Sequence, residues 1–181
     1  MRILAIDPLD RVTGSCYLVH VPESDVRLLV DCGGYQDGLN ADLLTEADFE
    51  FHPSMITAVL LTHAHFDHCG RLLKLVRDGF RGAVIATRET IEIAKIVLAD
   101  AQRLRGDIDS ASTLDAIRWR PYGTHLFASP MPIATDVFVQ AHRSAHIVGA
   151  VSLEIIAGPK EYPESQARVL FSGDIGNNFD G

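Results

Sequence analysis

The residues best suited to chemistry are three histidines and one aspartate that lie within six positions, spaced H-x-H-x-D-H from His63 to His68. Alternate residues of an extended segment point the same way. His63 and His65 can therefore reach one metal ion, while Asp67 and His68 can reach a second. Imidazole nitrogens and carboxylate oxygens are ligands that zinc and similar divalent metals accept. The spacing predicts a metal site, and the alternative is a coincidental surface cluster.

Further ligands of a metal site should come from distant parts of the chain. His146 lies in SAHIVGA, where Gly149 would allow close approach of the backbone, and Asp174 lies in FSGDIG directly after an apolar run. His142 competes with His146 for the same role. An aspartate can also simply cap a turn, which is the alternative for Asp174. We expect His146 and Asp174 to complete the site.

The elements that must position these residues alternate between strand and helix patterns. Apolar or alternating runs predict strands at 15–21, 26–30, 56–61, 83–86, 137–142, 151–157 and 168–173. Helical periodicity predicts helices at 71–77 and from an N-cap at Thr87 to about Leu104, and residues 106–117 predict a loop and a short helix. This alternation indicates a layered α/β domain.

Length and composition narrow the class of protein. With 181 residues, 47% of them hydrophobic, the chain suits one domain with a sizeable core. It contains neither a signal-like start nor an apolar run near the roughly 18 residues that span a bilayer, so we expect a cytoplasmic protein without a membrane partner.

Three scattered cysteines predict reduced, mostly buried thiols. A net charge of −8 argues against wrapping nucleic acid with this chain alone, although a local basic patch is compatible with it.

Seven stretches together resemble the metallo-β-lactamase fold and, within it, the RNA-processing nucleases called β-CASP proteins. They are VTGSCYLV at 12–19, LLVDCGGYQDG at 28–38, LLTHAHFDHCGRL at 60–72, ATRETIEIAKIVLADA at 86–101, RPYGT at 120–124, SAHIVGAVSLEI at 144–155 and VLFSGDIG at 169–176. The H-x-H-x-D-H motif alone fits any member, including thioesterases and lactonases. The glycine-serine strand, the T-R-E-T helix start and the H-I-V-G-A string favour the nuclease branch.

The resemblance implies a fold and a role for each candidate residue. The fold would be an αββα sandwich of the metallo-β-lactamase type. The first metal would be held by His63, His65 and His146, and the second by Asp67, His68 and Asp174, with Asp174 bridging. Asp31 is similar to a family aspartate that supports the metal loop by hydrogen bonds, and the alternative is an aspartate that only starts a turn.

The chemistry implied by the resemblance is hydrolysis of an RNA phosphodiester. Two divalent ions, with zinc expected and manganese or iron as alternatives, would hold a hydroxide in line with the phosphorus atom. Asp67 would orient or deprotonate the nucleophile besides binding metal. The expected substrate is single-stranded RNA. The alternatives are a thioester or lactone hydrolase of the same fold, and a non-catalytic metal-binding half-module.

One departure from the family pattern concerns the end of the chain. The family places a capping domain after the motif that matches FSGDIG, and then the rest of the fold with a further metal-binding histidine. We therefore expect residues 1–181 to be the N-terminal part of a metallo-β-lactamase-like domain, with the cap and the remainder absent. Such a piece would leave strand edges open, which predicts a homo-oligomer or a complementing chain.

Overall fold

The computed structural model of the protein describes residues 1–6, 13–36, 40–106, 111–123 and 127–176. Parts of the matching stretches, namely Val12, residues 37–38 and Thr124, lie outside the described residues. So do residues 107–110 of the predicted loop and the terminal residues 177–181.

The described strands and helices alternate along most of the chain. The strands are β1 (Arg2–Ala5), β2 (Tyr17–Val21), β3 (Val26–Val30), β4 (Ala58–Leu60), β5 (Ala83–Ala86), β6 (Arg118–Pro121), β7 (Met131–Ala134), β8 (Val137–Arg143), β9 (Val151–Ala157) and β10 (Ala167–Phe171). The α-helices are α1 (Ala41–Thr45), α2 (Phe66–Cys69), α3 (Leu72–Arg77), α4 (Arg88–Arg105) and α5 (Ala111–Ala116). Short 3-10 turns lie at Pro22–Ser24, Pro53–Met55 and Pro163–Ser165.

The strands form two sheets. The first has the order β1-β2-β3-β4-β5-β6, in which β1, β2 and β3 pair antiparallel and β3 to β6 pair parallel. The second has the order β10-β9-β8-β7 and is antiparallel throughout. Because β3 to β6 run parallel, the residues that follow them meet at one edge of the first sheet. That edge carries the candidate site.

Two cores separate three layers. One core packs the helices against the first sheet, with Leu72 and Leu98 facing Val59 and Val84. The other core lies between the two sheets and consists of strand residues such as Leu28 and Leu153. Within the described ranges, no helix contributes a buried residue to this second core. The layers are therefore helix, sheet and sheet, which is the expected incomplete form of an αββα sandwich.

Helix α4 shows how local sequence sets an element that the site uses. Thr87 is its N-cap, and the Thr87 hydroxyl accepts a hydrogen bond of 3.2 Å from the Thr90 backbone N–H. Gly106, with φ +69°, ends the helix in the left-handed conformation. The buried face includes Ile91, Ala94 and Leu98, as the periodicity predicts.

Most predicted elements are confirmed, with boundaries that differ by one or two residues, and β3, β5 and β9 match fully. The sequence did not predict α1, β1, β6 and β7. The three missed strands are all edge strands of the two sheets. In β1 the first three residues are exposed and the fourth is half-buried. An edge strand buries little of its surface, so it shows no clear alternation of apolar and polar residues. The three cysteines are buried and form no disulfide within the described residues.

None of the helices in the described ranges is long and apolar enough to cross a membrane.

Candidate metal centre

The H-x-H-x-D-H stretch follows the buried strand β4 and runs into α2. The backbone continues the parallel pairing for one residue, because Leu61 N–H donates to the Ile85 carbonyl at 3.0 Å. His63 is fully buried, and α2 begins at Phe66, so that Asp67 and His68 lie in its single turn. The motif therefore places two side chains before the helix and two within it.

Four of the predicted ligands come together in one group. His63, His65, His146 and Asp174 each offer one ligand atom, and these atoms lie within 4.8 Å of one another. His65 Nδ1 lies 3.1 Å from His63 Nε2 and 3.0 Å from His146 Nε2. Asp174 Oδ2 lies 3.4 Å from His146 Nε2 and 3.8 Å from His63 Nε2. Three imidazoles and one carboxylate fit the donor set of a zinc ion.

The remaining predicted ligands lie on the other side of Asp174. Asp174 Oδ1 is 3.3 Å from His68 Nε2, and Asp67 Oδ2 is 3.9 Å from the same nitrogen. One carboxylate oxygen of Asp174 therefore faces the first group and the other faces His68. The two oxygens of Asp174 therefore lie between the two groups of predicted ligands.

The β8–β9 loop, which carries His146, is fixed at both ends. The Ser144 hydroxyl donates to the Asp174 carbonyl at 2.7 Å. The Gly149 carbonyl accepts from the hydroxyls of Thr87 at 2.8 Å and Thr90 at 3.0 Å, at the start of α4. Gly149 has φ +84°, and a Cβ there would lie 2.7 Å from Thr87 Oγ1. The glycine thus permits the close approach that the sequence suggested.

The competing histidine, His142, lies elsewhere. His142 Nε2 is 3.1 Å from Glu154 Oε2 and its side chain is 47% exposed. Among the two candidates, the structure brings His146 to the other ligands and leaves His142 on strand β8.

Asp31 connects the ends of two parallel strands. It is 1% exposed and has φ +60°. One carboxylate oxygen accepts from Thr62 N–H at 2.8 Å, and the other accepts from the Thr62 hydroxyl at 2.8 Å and lies 2.8 Å from His68 Nδ1. These contacts fix the ring of His68 so that Nε2 faces Asp67 and Asp174. The carboxylate therefore does more than start a turn.

The electrostatics of the two buried histidines differ. Burial, together with the nearby charges of His68, His65 and His146, lowers the pKa of His63 to about 2. Burial also lowers the pKa of His68, but the hydrogen bond and charge of Asp31, with the charges of Asp67 and Asp174, outweigh burial and raise that pKa overall. His63 is therefore neutral and ready to bind a metal, whereas a proton competes for His68.

Zinc binding should weaken on acidification because a metal must displace the proton that His68 retains. His63 contributes nothing to this dependence above pH 6, since its pKa lies far lower. We expect zinc affinity, measured by competition titration between pH 8 and pH 6, to fall by up to about tenfold per pH unit. In Asp31→Asn the charge that raises the His68 pKa is removed, so the fall should begin at lower pH. A flat profile in the wild type would contradict the assignment of His68.

Thr90 is buried, and its hydroxyl donates to the carbonyl of Gly149, three residues after His146, so we expect it to help hold the loop that carries His146. Thr90→Val removes this hydrogen bond and leaves the one from Thr87. We expect zinc binding to weaken about tenfold. Loss of a group that supports a metal ligand through hydrogen bonds typically weakens metal binding about 10- to 100-fold, and Thr90 acts at the lower end because it supports the loop and not the ligand itself. The matched control is Thr45→Val in α1, which removes a buried acceptor of the Tyr35 N–H (2.9 Å) and should leave zinc affinity unchanged. Equal zinc affinity in both variants would contradict the role of Thr90.

Sequence reasoning missed two residues of this site. Thr62 bonds to Asp31 and its hydroxyl lies 3.0 Å from His63 Nδ1. Thr90 belongs to the predicted helix and to the T-R-E-T string, but neither observation gives it a role at the site. The position of Thr62, directly between a buried strand and a histidine, was a usable signal, but no spacing rule linked Thr90 to a loop 59 residues away.

Known proteins match nearly the whole chain. The profile of the Metallo-beta-lactamase superfamily matches residues 9–180. Ribonuclease TTHA0252 of Thermus thermophilus is 38% identical over 183 residues, which cover 98% of this chain and 38% of that protein. Transcription termination factor FttA of Methanosarcina mazei is 28% identical, covering 96% of this chain and 27% of its own length. Endoribonuclease YSH1 of Kluyveromyces lactis is 27% identical, with 99% and 24% covered. The chain thus spans well under half the length of each relative.

Solved structures share the fold at low sequence identity. The metallo-beta-lactamase fold protein YhfI of Bacillus subtilis has a TM-score of 0.58 and 18% identity, covering 95% of this chain and 61% of that chain. Zinc-bound PqqB of Methylobacterium extorquens has a TM-score of 0.55 and 17% identity, covering 90% and 53%. Identities this low establish the fold alone.

Proposed function

We propose, from the premise that this chain belongs to the metallo-beta-lactamase superfamily, that it carries the metal centre of a hydrolase that cleaves RNA phosphodiesters. The observation that carries the proposal is the group of three histidines and Asp174, all within 4.8 Å, on a chain aligned over 98% of its length with a ribonuclease. Two other relatives support it: a transcription termination factor and an endoribonuclease.

In this proposal two divalent ions are bound by the predicted ligands. The first ion is assigned to His63, His65 and His146, and the second to Asp67 and His68, with Asp174 shared. Zinc is the preferred metal because imidazole nitrogen predominates, and manganese or iron are alternatives. Bound divalent ions supply a water of lowered pKa and neutralise charge on phosphoryl oxygens.

Asp67 is proposed to orient or deprotonate the attacking water. Its side chain is 18% exposed, so solvent reaches it, and it lies next to His68. Its backbone is held in place because its carbonyl accepts a hydrogen bond of 2.8 Å from Ser15 N–H. A fixed, partly exposed carboxylate beside the ligands has the reach that a general base needs.

We also propose that residues 1–181 form the N-terminal part of a metallo-β-lactamase-like domain. The helix, sheet and sheet layers support this, since the αββα sandwich has one further helical layer. Open strand edges support pairing with another segment, copy or chain: Ile3 and Leu4 on β1 are 48% and 55% exposed, and Leu170 on β10 is 59% exposed. Single-stranded RNA as substrate and a cytoplasmic location belong to the same proposal.

The function is tested by comparing substrates on the zinc-loaded chain. We expect cleavage of a labelled single-stranded RNA, and no turnover of a thioester or a lactone, because the relatives that align over the whole chain include two ribonucleases. Products are resolved on a denaturing gel, with chelator-treated protein as the control. Turnover of the thioester or lactone with intact RNA would contradict the proposal and favour a small-molecule hydrolase.

A further inference from the structure

A cavity of about 980 Å³ opens beside the metal centre. It lies between the start of α4, the residues that follow β6, and the β8–β9 loop, and we call it the side groove. Its lining includes Arg88, Phe127, Arg143 and Val148. The β8–β9 loop also carries His146, so the side groove and the metal centre share one loop. The lining also includes Ala145, so the side groove comes within one residue of a predicted metal ligand.

The side groove carries positive charge that the rest of the described structure does not neutralise. Neither Arg88 nor Arg143 forms an ion pair with a described residue, whereas several other arginines do: Arg27 with Asp25, Arg77 with Glu46, Arg105 with Asp42 and Arg168 with Glu154. Glu89 is the one carboxylate in the described lining. On a chain with a net charge of −8, two unpaired guanidinium groups in one cavity suit an anionic ligand.

The side groove also offers a stacking surface. The Phe127 ring is 42% exposed, and the Arg143 guanidinium carbon lies 4.8 Å from the centre of that ring. Val148, 70% exposed, adds apolar surface to the lining. Aromatic rings and arginine planes are the groups on which unstacked RNA bases rest, while guanidinium groups bind the phosphates between them.

We propose that the side groove binds the nucleotides of single-stranded RNA next to the phosphate that is cleaved. Arg88 and Arg143 contact phosphates of that segment, and the Phe127 and Arg143 pair stacks on one base. This inference rests on the proposed function and adds to it the part of the chain that holds the substrate strand. Because a stacking surface accepts every base, the contacts predict little sequence preference.

The test measures binding of a fluorescein-labelled oligouridylate of eight residues, with phosphorothioate linkages that resist hydrolysis, to the zinc-loaded chain. We expect the double variant Arg88→Gln, Arg143→Gln to bind at least about tenfold more weakly and to lower the slope of log affinity against log salt by about 1.4, since each phosphate contact on a single strand contributes about 0.7. Phe127→Leu should weaken binding about fivefold, at the lower end of the loss of one stacked base.

The control is Arg103→Gln, which removes one positive charge from the far end of the helix that begins at Arg88, half of the charge that the double variant removes. The Arg103 side chain is 82% exposed, and its guanidinium lies 3.8 Å from the Asp100 carboxylate, a long ion pair at the surface. We expect Arg103→Gln to bind the oligouridylate as tightly as the wild type. Equal binding by the wild type and the double variant, or no binding by either, would overturn the inference. Either result would favour another protein segment as the occupant of the side groove.

A second substrate separates this inference from the proposed function. Bis(p-nitrophenyl) phosphate is a phosphodiester too short to extend along the side groove, so its hydrolysis by the wild-type chain tests the metal centre without the side groove. If the wild-type chain cleaves RNA but the double variant binds the oligouridylate equally well, the side groove inference is wrong and the proposed function is kept. If the double variant binds more weakly but the wild-type chain hydrolyses neither RNA nor bis(p-nitrophenyl) phosphate, the proposed function is wrong and the side groove inference is kept.

Discussion

Replacing His63 and His65 together by alanine should remove bound metal from the purified chain. These side chains offer two of the four atoms that lie within 4.8 Å of one another, and His63 is neutral because its pKa is lowered to about 2. Loss of a residue that only hydrogen-bonds to a metal ligand weakens metal binding by up to about a hundredfold. Loss of two ligands that bind the metal directly should therefore weaken zinc binding by more than that. We expect about two ions per wild-type chain by mass spectrometry, and in the variant the loss of the ion assigned to His63, His65 and His146.

The control for this result is His142→Ala, which removes a histidine that pairs with Glu154 away from the ligand group. It should keep the wild-type metal content. Asp67→Ala separates binding from chemistry: we expect the first ion to be retained and RNA cleavage to be lost, with circular dichroism showing an intact fold. A folded wild-type chain without metal would mean that these residues need a further segment to complete the site.

Asp31→Ala should be among the most destabilising single substitutions at the site. It would leave the Thr62 N–H, the Thr62 hydroxyl and His68 Nδ1 without their partner, in a position that is 1% exposed. Removing one member of a buried charged pair costs about 3–5 kcal/mol. We expect a loss of this size in urea unfolding of the metal-free chain. Zinc affinity should also fall about 10- to 100-fold, because the ring of His68 is no longer held.

Part of this loss could come from the backbone, since Asp31 has φ +60°. Asp25→Ala controls for that contribution, because Asp25 has φ +50° but a side chain that is 79% exposed and forms an ion pair with Arg27 at the surface. We expect this control to cost no more than about 1 kcal/mol. Similar losses in the two variants would show that conformation, and not the carboxylate network, explains the effect at Asp31.

The ligands were predictable to the extent that they lie close together in sequence or follow a buried strand. The four motif residues lie within six positions, so their spacing alone indicates that they share a site. They also follow a parallel strand, and the residues after such strands meet at one edge of the sheet. His146 was favoured over His142 by its glycine context, and Gly149 does make a close approach that a side chain would prevent. The assignment of all six ligands remains a prediction that metal analysis will test.

Other features could not be predicted because they depend on tertiary contacts. Thr90 reaches the β8–β9 loop, and Arg88, Phe127 and Arg143 meet in one cavity, only after the two sheets have packed. No periodicity relates these positions. The edge strands β1, β6 and β7 were missed for a related reason, since each pairs on one side only and buries little surface.

The metal centre draws on both sheets, and this affects how the protein folds. His65 Nδ1 and His146 Nε2 lie 3.0 Å apart although the two residues are separated by 81 positions. Val151 N–H of the second sheet donates at 2.9 Å to the carbonyl of Thr62, two residues after β4 of the first sheet. Such distant contacts form late, because the entropy of closing the loop must be overcome first. A chain emerging from the ribosome would thus acquire high metal affinity only after Asp174 has been synthesised. Binding of metal with high affinity would then show that the two sheets have packed against each other.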